Sequence, residues 1–462
     1  MHDPLPKHSC VAVFGLGASG LAVAHLLDKF HKNIVASDIA DESKRNEFKV
    51  KLPKNTRLVL GHNEIGTASV IVTSPGLEPT TPILLEAAAR NIPVIAELEV
   101  GYRATEFPIV AITGTDGKTT TTTLTSHILN ECDVLNHMGG NVGIPLSHVI
   151  QDTNKKVDCL VVETSAFQLV FCPQFKPHIL IATNIAEDHN EYFKGDKTKY
   201  IETKRRPLQT MTSHDIAILN ASDPEIRTWH QHTQAKLCWY GLSREEIPNN
   251  AMHYAYLDEA AHEIRFIYQG QRHCLSLAQL KMPGKHNALN AMGAILAALY
   301  MGCSFDKIVK AIASYKMPSH RIQNIRTLNG ISFIDDSKAT NPHAAIAALQ
   351  TIDEPTILIV GGVDKGLDLT EWIETMKKNV RQIMVIGALT DRFCREAIWN
   401  KIPCPLHRCN TLEEAVSRGY ELAKIHECKA VMLSPGCSSY DMFKNYNQRG
   451  EIFAHAAQQL KP

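Results

Sequence analysis

The chain has 462 residues, 44% of them apolar and 21% charged, and its 48 Lys plus Arg balance 48 Asp plus Glu. These are globular values, and the length asks for two or three domains at about 100–200 residues each. The balanced charge excludes the bulk basic excess that drives nucleic-acid or membrane-surface binding. No window of about 18 apolar residues offers a membrane span, and the opening MHDPLPKHSCVAVFG lacks the layout of a signal peptide. The 12 cysteines contain no Cys-x-x-Cys pair and read as reduced thiols, so a soluble cytoplasmic protein is expected.

Strand, turn and helix alternate from the start, the pattern of parallel sheets with crossover helices. CVAVFG reads as a strand, LGASG as its turn and LAVAHLLDKF as a helix; NIVASD and ASVIVTSPG are further strands, and IPVIAELEV closes the first unit near residue 97. A second unit opens with FPIVAIT and continues with strands DCLVVE, HILIAT and DIAILN. Between about 236 and 277, KLCWYGL, AMHYAYL, EIRFIY and HCLSL read as short antiparallel strands, and HNALNAMGAILAALYMG reads as an amphipathic helix stopped by Gly302. A third unit follows YKMPSHR, with four strands in GISFIDDS, TILIVGG, QIMVIGA and AVMLSPG. The expected domains are residues 1–97, 98–317 and 318–462, all α/β.

Two glycine loops compete to define the chemistry. GLGASG, with Gly15, Gly17 and Gly20, sits between a strand and a helix, and Asp38 ends the next strand where a ribose-binding acid would lie. Alone it predicts a dinucleotide-dependent oxidoreductase, yet its physical content is only a helix amino terminus that favours a pyrophosphate. A UDP-linked substrate offers the same group, and no hydride-acceptor pocket can be read. The second loop, GTDGKT, is shorter than the usual phosphate loop: six positions before Lys118 stands Ile112, and the glycines are Gly114 and Gly117. Lys118 is placed to neutralise terminal phosphates and Thr119 to offer a hydroxyl to Mg²⁺. Downstream strands end in Glu163 and in Asn184, Glu187, Asp188 and His189, which the carboxyl edge of a parallel sheet would bring beside that loop. Taken singly, a strand-end Glu reads as a surface residue, and Lys204 reads as a helix-surface lysine beside Lys199, Arg205 and Arg206.

The shortened loop, followed in order by ETSAFQL, TNIAEDH, PGKHNALNA, SHR, DDSKATNP and SPGCSSYDMFKNYNQRG, resembles the Mur ligases over nearly the whole chain, from Gly15 to about Phe453. The last two stretches are most similar to the branch of that family that adds D-glutamate. The resemblance implies a Rossmann-like N-terminal domain for the UDP end of the substrate, a central P-loop ATPase-type mononucleotide-binding domain, and a Rossmann-like C-terminal domain that closes over both with the amino acid. It implies a reaction of UDP-N-acetylmuramoyl-L-alanine, D-glutamate and ATP through an acyl phosphate, with two Mg²⁺ ions. No surface feature of the sequence asks for a stable partner, so a monomer with no nucleic-acid or membrane partner is expected.

By the same resemblance, Gly15, Leu16, Gly17, Ala18, Ser19, Asp38, Ser74, Pro75 and Gly76 would hold the UDP substrate, and Asn141 and Ser165 would line its path. ATP would meet Gly114, Thr115, Asp116, Gly117, Lys118, Thr119, Thr120, Asn287, Asn290, Arg321 and Asp336; Asn287 also reads as a helix amino-terminal cap. Thr119, Glu163, His189 and Lys204, the lysine as its CO₂ carbamate, would organise the metal, and Lys118, Glu163, His189 and Lys204 would carry catalysis. His189, Lys338, Thr340, Lys365, Ser439 and Tyr446 would receive D-glutamate; Tyr446 also reads as a core residue. Four positions depart from the family pattern: Asp116 where asparagine is common, Tyr446 in place of phenylalanine, an acid adjacent to Lys365 in GGVDKG, and Ile39 in place of a hydroxyl residue. A sister ligase using another amino acid or L-glutamate, and a catalytically silent nucleotide-binding protein, remain alternatives.

Overall fold

The computed structural model describes residues 1–7, 9–151, 157–186 and 190–461. Its strands form three sheets, each with loops gathered at the carboxyl ends of parallel strands. By internal contacts the chain divides into two compact units. One comprises Met1–Ile185, Asp196–Lys281 and Asn287–Tyr315, the other Ala186–Gly195, Met282–His286 and Lys316–Pro462.

The first sheet contains β1 (Cys10–Phe14), β2 (Asn33–Asp38), β3 (Arg57–Leu60), β4 (Val70–Thr73) and β5 (Val94–Ala96), all parallel, in the order β3-β2-β1-β4-β5. β1 is apolar at consecutive positions because both faces are covered: Val11 and Val13 join one core, Ala12 and Phe14 the other. Chain order reverses between β1 and β4, so the turns after these two strands flank a switch point where ligands collect. The stretch IPVIAELEV is strand only as far as Ala96; Glu97–Arg103 is helix.

The second sheet belongs to the same unit. Its strands are β6 (Ile109–Thr113), β7 (Asn136–Gly140), β8 (Cys159–Glu163), β9 (Ile179–Ala182), β10 (Ile216–Asn220), β11 (Lys236–Gly241), β12 (Tyr254–Asp258), β13 (Glu263–Tyr268) and β14 (Gln271–Ser276), in the order β14-β13-β12-β11-β10-β9-β6-β8-β7. The expectation of an antiparallel run from 236 is corrected at β11, which lies parallel to both β10 and β12; only β12–β13–β14 is antiparallel. The helix Lys285–Tyr300 is not amphipathic, since Asn287, Ala288 and every residue from Asn290 to Leu299 are buried. A helix hydrophobic all round is a core helix. Helix Lys118–Glu131 carries five consecutive threonines, poor helix formers on their own. Packing decides it: Thr119 to Thr122 are buried, Thr125 Oγ1 donates to the Thr121 carbonyl at 2.7 Å, and Thr123 Oγ1 donates to that of Thr119 at 2.9 Å.

The second unit holds β15 (Gln323–Leu328), β16 (Ile331–Asp335), β17 (Thr356–Gly361), β18 (Val380–Ile386), β19 (Leu406–Arg408) and β20 (Ala430–Leu433), in the order β15-β16-β20-β17-β18-β19. Sequence reading finds four of these and misses β15, an antiparallel edge strand with mixed exposure, and β19, only three residues long. Leu358 and Val360 enter one core layer, Ile357 and Ile359 the other. The cysteines are free throughout the described residues. No helix among the described residues is long and apolar enough to cross a membrane.

Candidate active site

At the first switch point, Gly15 adopts φ +82°, and a Cβ there would collide with the Ser74 hydroxyl. This ties the GLGASG turn to the SPG turn after β4. Asp38 braces the same place: its Oδ2 accepts from Leu16 N at 2.6 Å and its Oδ1 from Ala40 N at 2.8 Å. Gly17 and Ala18, at the amino terminus of helix Ala18–Asp28, are exposed, as is Gly76; Ser19, Ser74 and Pro75 are half-buried. The result is an open helix amino terminus, suited to a phosphate or pyrophosphate. Ile39, beside it, is 78% exposed.

The GTDGKT loop follows β6 at the second switch point. Gly114 (φ +141°) and Gly117 (φ +77°) are obligatory, since a Cβ on the first would strike the Thr183 hydroxyl and on the second the Asn290 amide. The loop is pinned through its backbone. Thr115 N donates to the Asn184 carbonyl at 2.8 Å, Asp116 N to Asn184 Oδ1 at 2.9 Å, and Thr183 Oγ1 donates to the Asp116 carbonyl at 2.7 Å. Asn184, read from sequence as part of a ligand cluster, is therefore the loop's anchor. Asp116, Gly117 and Lys118 remain partly exposed, and Lys118 Nζ donates to the Thr115 carbonyl at 2.5 Å. Thr119 and Thr120, in the first turn of the helix, are buried.

Beside this loop the ends of β7 and β8 pair Gly140 with Glu163. Glu163 is 2% exposed, which excludes the alternative of an ordinary surface residue. Its Oε1 accepts from Asn141 Nδ2 at 2.8 Å, and its Oε2 is buried with no hydrogen-bond partner among the described residues. Ser165 caps helix Ala166–Leu169 in a reciprocal capping box with Gln168. Lys204 is 1% exposed, so its surface reading is corrected too. Its Nζ donates to the Gly114 carbonyl at 2.5 Å and lies 4.8 Å from the Tyr200 ring centroid. Tyr200 in turn bonds Thr115 Oγ1 at 3.0 Å. Sequence reading passed over Tyr200, although its i, i+4 spacing to Lys204 puts both on one helix face. Asn287 is not an amino-terminal cap: it is the third residue of its helix, buried, and accepts from Asn290 Nδ2 at 3.3 Å. Asn290 Oδ1 accepts from Thr121 Oγ1 at 3.2 Å. Glu187, Asp188 and His189 lie outside the described residues.

The orphaned oxygen of Glu163, with the Thr119 hydroxyl, is the kind of hard donor a divalent cation takes. Among the described residues no three His, Cys, Asp or Glu side chains gather into a cage. That fits Mg²⁺, which is commonly held by one or two carboxylates together with substrate phosphates.

In the second unit the loops that carry the candidate residues lie at the ends of β16, β17 and β20. Asp336 is buried; its Oδ2 accepts from Ser434 Oγ at 2.8 Å, and burial raises its carboxyl to about 7, against the lowering effects of that bond and of the Arg321 charge. Lys338 Nζ stands 3.8 Å from the ring centroid of Tyr446, which is half-buried at the start of helix Tyr446–Gln459 rather than in the core. Ser439 is 2% exposed, and Thr340 and Lys365 are half-buried at neighbouring strand ends.

Open α/β sheets with a pyrophosphate-type helix terminus, a lysine-bearing phosphate loop and a buried carboxylate beside it define a nucleotide-dependent enzyme of the phosphoryl-transfer class. Family models agree in chain order: Mur ligase MurD-like N-terminal domain over residues 9–96, Mur ligase middle domain over 112–298, and the Mur ligase glutamate ligase domain over 320–437. The chain belongs to the Mur ligase family. Among its relatives, the UDP-N-acetylmuramoylalanine–D-glutamate ligase of Caldanaerobacter subterraneus subsp. tengcongensis is 33% identical, with 98% of this chain and 99% of the relative aligned. That of Clostridioides difficile is 31% identical over the same shares. Two solved structures share the fold: MurF from Acinetobacter baumannii (TM-score 0.62, 17% identity, 92% and 91% of the two chains) and the UDP-N-acetylmuramate–alanine ligase MurC from Thermotoga maritima (TM-score 0.59, 18%, 98% and 100%).

Proposed function

We propose that this chain is an ATP-dependent ligase that joins D-glutamate to UDP-N-acetylmuramoyl-L-alanine in peptidoglycan precursor synthesis. The observation that carries the reading is full-length relatedness to D-glutamate ligases, on a chain that keeps the compact phosphate loop and the buried Glu163 beside it.

A carboxylate is a poor acceptor of an amine, and phosphorylation of the L-alanine carboxylate by ATP supplies a leaving group. The D-glutamate amine attacks the acyl phosphate, and phosphate departs from the tetrahedral intermediate. The protein's part is positioning and charge neutralisation. Gly15 to Ser19, Asp38 and Ser74 to Gly76 hold the UDP end, and Asn141 and Ser165 line the path of the reacting carboxylate. Gly114 to Thr120 cradle the ATP phosphates with Lys118 neutralising charge, Asn287 and Asn290 lie on the adenine side, and Arg321 and Asp336 serve phosphate and ribose. Lys338, Thr340, Lys365, Ser439 and Tyr446, with His189, receive D-glutamate, whose two carboxylates ask for cations and hydroxyls.

Thr119, Glu163, His189 and a carbamate on Lys204 would hold two Mg²⁺ ions, which neutralise phosphate charge when bound. A neutral lysine is a poor magnesium ligand, whereas its carbamate is an anion with two oxygens. The domains run over residues 1–97, 98–317 and 318–462, a division supported by the three successive family matches. The enzyme works as a cytoplasmic monomer on small molecules alone; its balanced charge supports the absence of a nucleic-acid partner.

The test is phosphate release with ATP, Mg²⁺ and UDP-N-acetylmuramoyl-L-alanine while the amino acid is varied. Release with D-glutamate alone, with an amide product of matching mass, is expected. Release with L-glutamate or another amino acid instead would keep the ligase and discard the substrate.

A further inference from the structure

The closing motif NQRG contributes no residue to the assignments above, yet it places the molecule's most deeply buried guanidinium. Arg449 is 0% exposed in the first half of helix Tyr446–Gln459. Its three nitrogens donate to Ser337 Oγ at 2.9 Å (Nε), to the Cys437 carbonyl at 3.0 Å (Nη1) and to the Ser337 carbonyl at 2.7 Å (Nη2). None of these acceptors is a carboxylate. Burial pulls the guanidinium down to about 10 against the opposing effects of Cys437 and of the nearby acids Asp441, Asp335 and Asp336, which leaves it a full cation at neutral pH. A buried cation held by neutral acceptors is costly unless something else gains from its position or its field.

The acceptors say what gains. Ser337 immediately precedes Lys338, and Cys437 stands two residues before Ser439. A Cβ on Gly362, three residues before Lys365, would meet the Ser438 carbonyl, the Cys437 side chain and Arg449 Nη1. One guanidinium therefore sets the spacing of the loops after β16, β17 and β20 that carry Lys338, Lys365 and Ser439. The nucleotide-side acid of the same unit is held separately, since Asp336 is bonded by Ser434 Oγ and its N–H donates to the Leu433 carbonyl at 2.8 Å.

We propose that Arg449 is a positioning residue for the amino-acid substrate: it locks the three loops in register and keeps a positive charge beneath them that favours a dicarboxylic amino acid. The inference rests on the D-glutamate reading of these loops.

Steady-state kinetics of full-length Arg449→Lys and Ser337→Ala, with melting curves to establish folding, test it. Losing hydrogen bonds to a charged group should raise the KM for D-glutamate by about tenfold or more in Arg449→Lys and by less in Ser337→Ala. The KM for ATP should stay within about twofold, because Asp336 keeps its own anchors. A folded variant with an unaltered D-glutamate KM overturns the proposal. So does an equal loss for ATP and D-glutamate, which is what general loosening of the unit would produce. Should Arg449→Lys not fold, Ser337→Ala decides by the same criterion. Wild-type protein that releases phosphate without regard to D-glutamate would remove the substrate reading, and this inference with it.

Discussion

Lys204 sits among Lys199, Arg205 and Arg206 in a stretch that reads as solvated helix, yet it is 1% exposed with its nitrogen against the Gly114 carbonyl. In the proposed metal site an amine there would bring a cation where an anion is wanted, and the proposed carbamate would reverse the sign. Lys204→Ala is expected to lower turnover by about 100-fold, the scale of losing a group that orders a metal site. Added short-chain carboxylate should restore part of the activity, and carbon-13 bicarbonate should give a carbamate resonance in the wild type alone. Unchanged turnover in the variant would end the carbamate assignment. Glu163 follows the same pattern: its type and its place at a strand end were readable, while the burial of its unpartnered oxygen was not.

At the scale of elements, helix Glu97–Arg103 carries a carboxylate into the core. Glu97 is 1% exposed, accepts from Ser147 N at 2.6 Å, and leaves Oε2 without a partner among the described residues. Burial raises its carboxyl to about 7, against an ordinary 4.5. The folded protein therefore keeps a proton there that the unfolded chain gives up above about 4.5. On this group's account stability falls as pH rises from 4.5 through about 7 and is level above that. Glu97→Gln keeps an oxygen for Ser147 and removes the titration. Denaturant melts should find it stabilised relative to wild type at pH 8 compared with pH 4, by roughly 3 kcal/mol. Parallel stability curves for the two proteins across this range would refute the assignment.

For the whole molecule, three family domains fold as two compact units. The first two sheets are joined by helix Leu146–Gln151, which seats against the first domain: Gln151 Nε2 donates to the Ala22 carbonyl at 2.9 Å, and Lys29 Nζ donates to the Gln151 carbonyl at 3.3 Å. Scanning calorimetry of the full chain should resolve two transitions, one for both amino-terminal sheets and one for the carboxy-terminal sheet. A nucleotide-sugar ligand at a hundred times its Kd should stabilise the first by about 2.7 kcal/mol. A single two-state transition would contradict the division.

Much of the fold was legible because its signals are local. Apolar strands ending in glycine turns, and glycines required at φ values other residues avoid, are written in consecutive residues, so the three α/β units and both glycine loops could be placed from sequence. The ordered motifs carried the family as well. Strand orientation at β11 was not legible, since parallel and antiparallel partners present the same alternation to a single chain, and β19 was too short to signal itself. Which polar residues are buried was settled only by tertiary packing. Asn184, Tyr200 and Arg449 act through partners from 12 to 112 residues away in sequence, and hydrogen bonds across such separations exist only once the sheets have brought distant segments together.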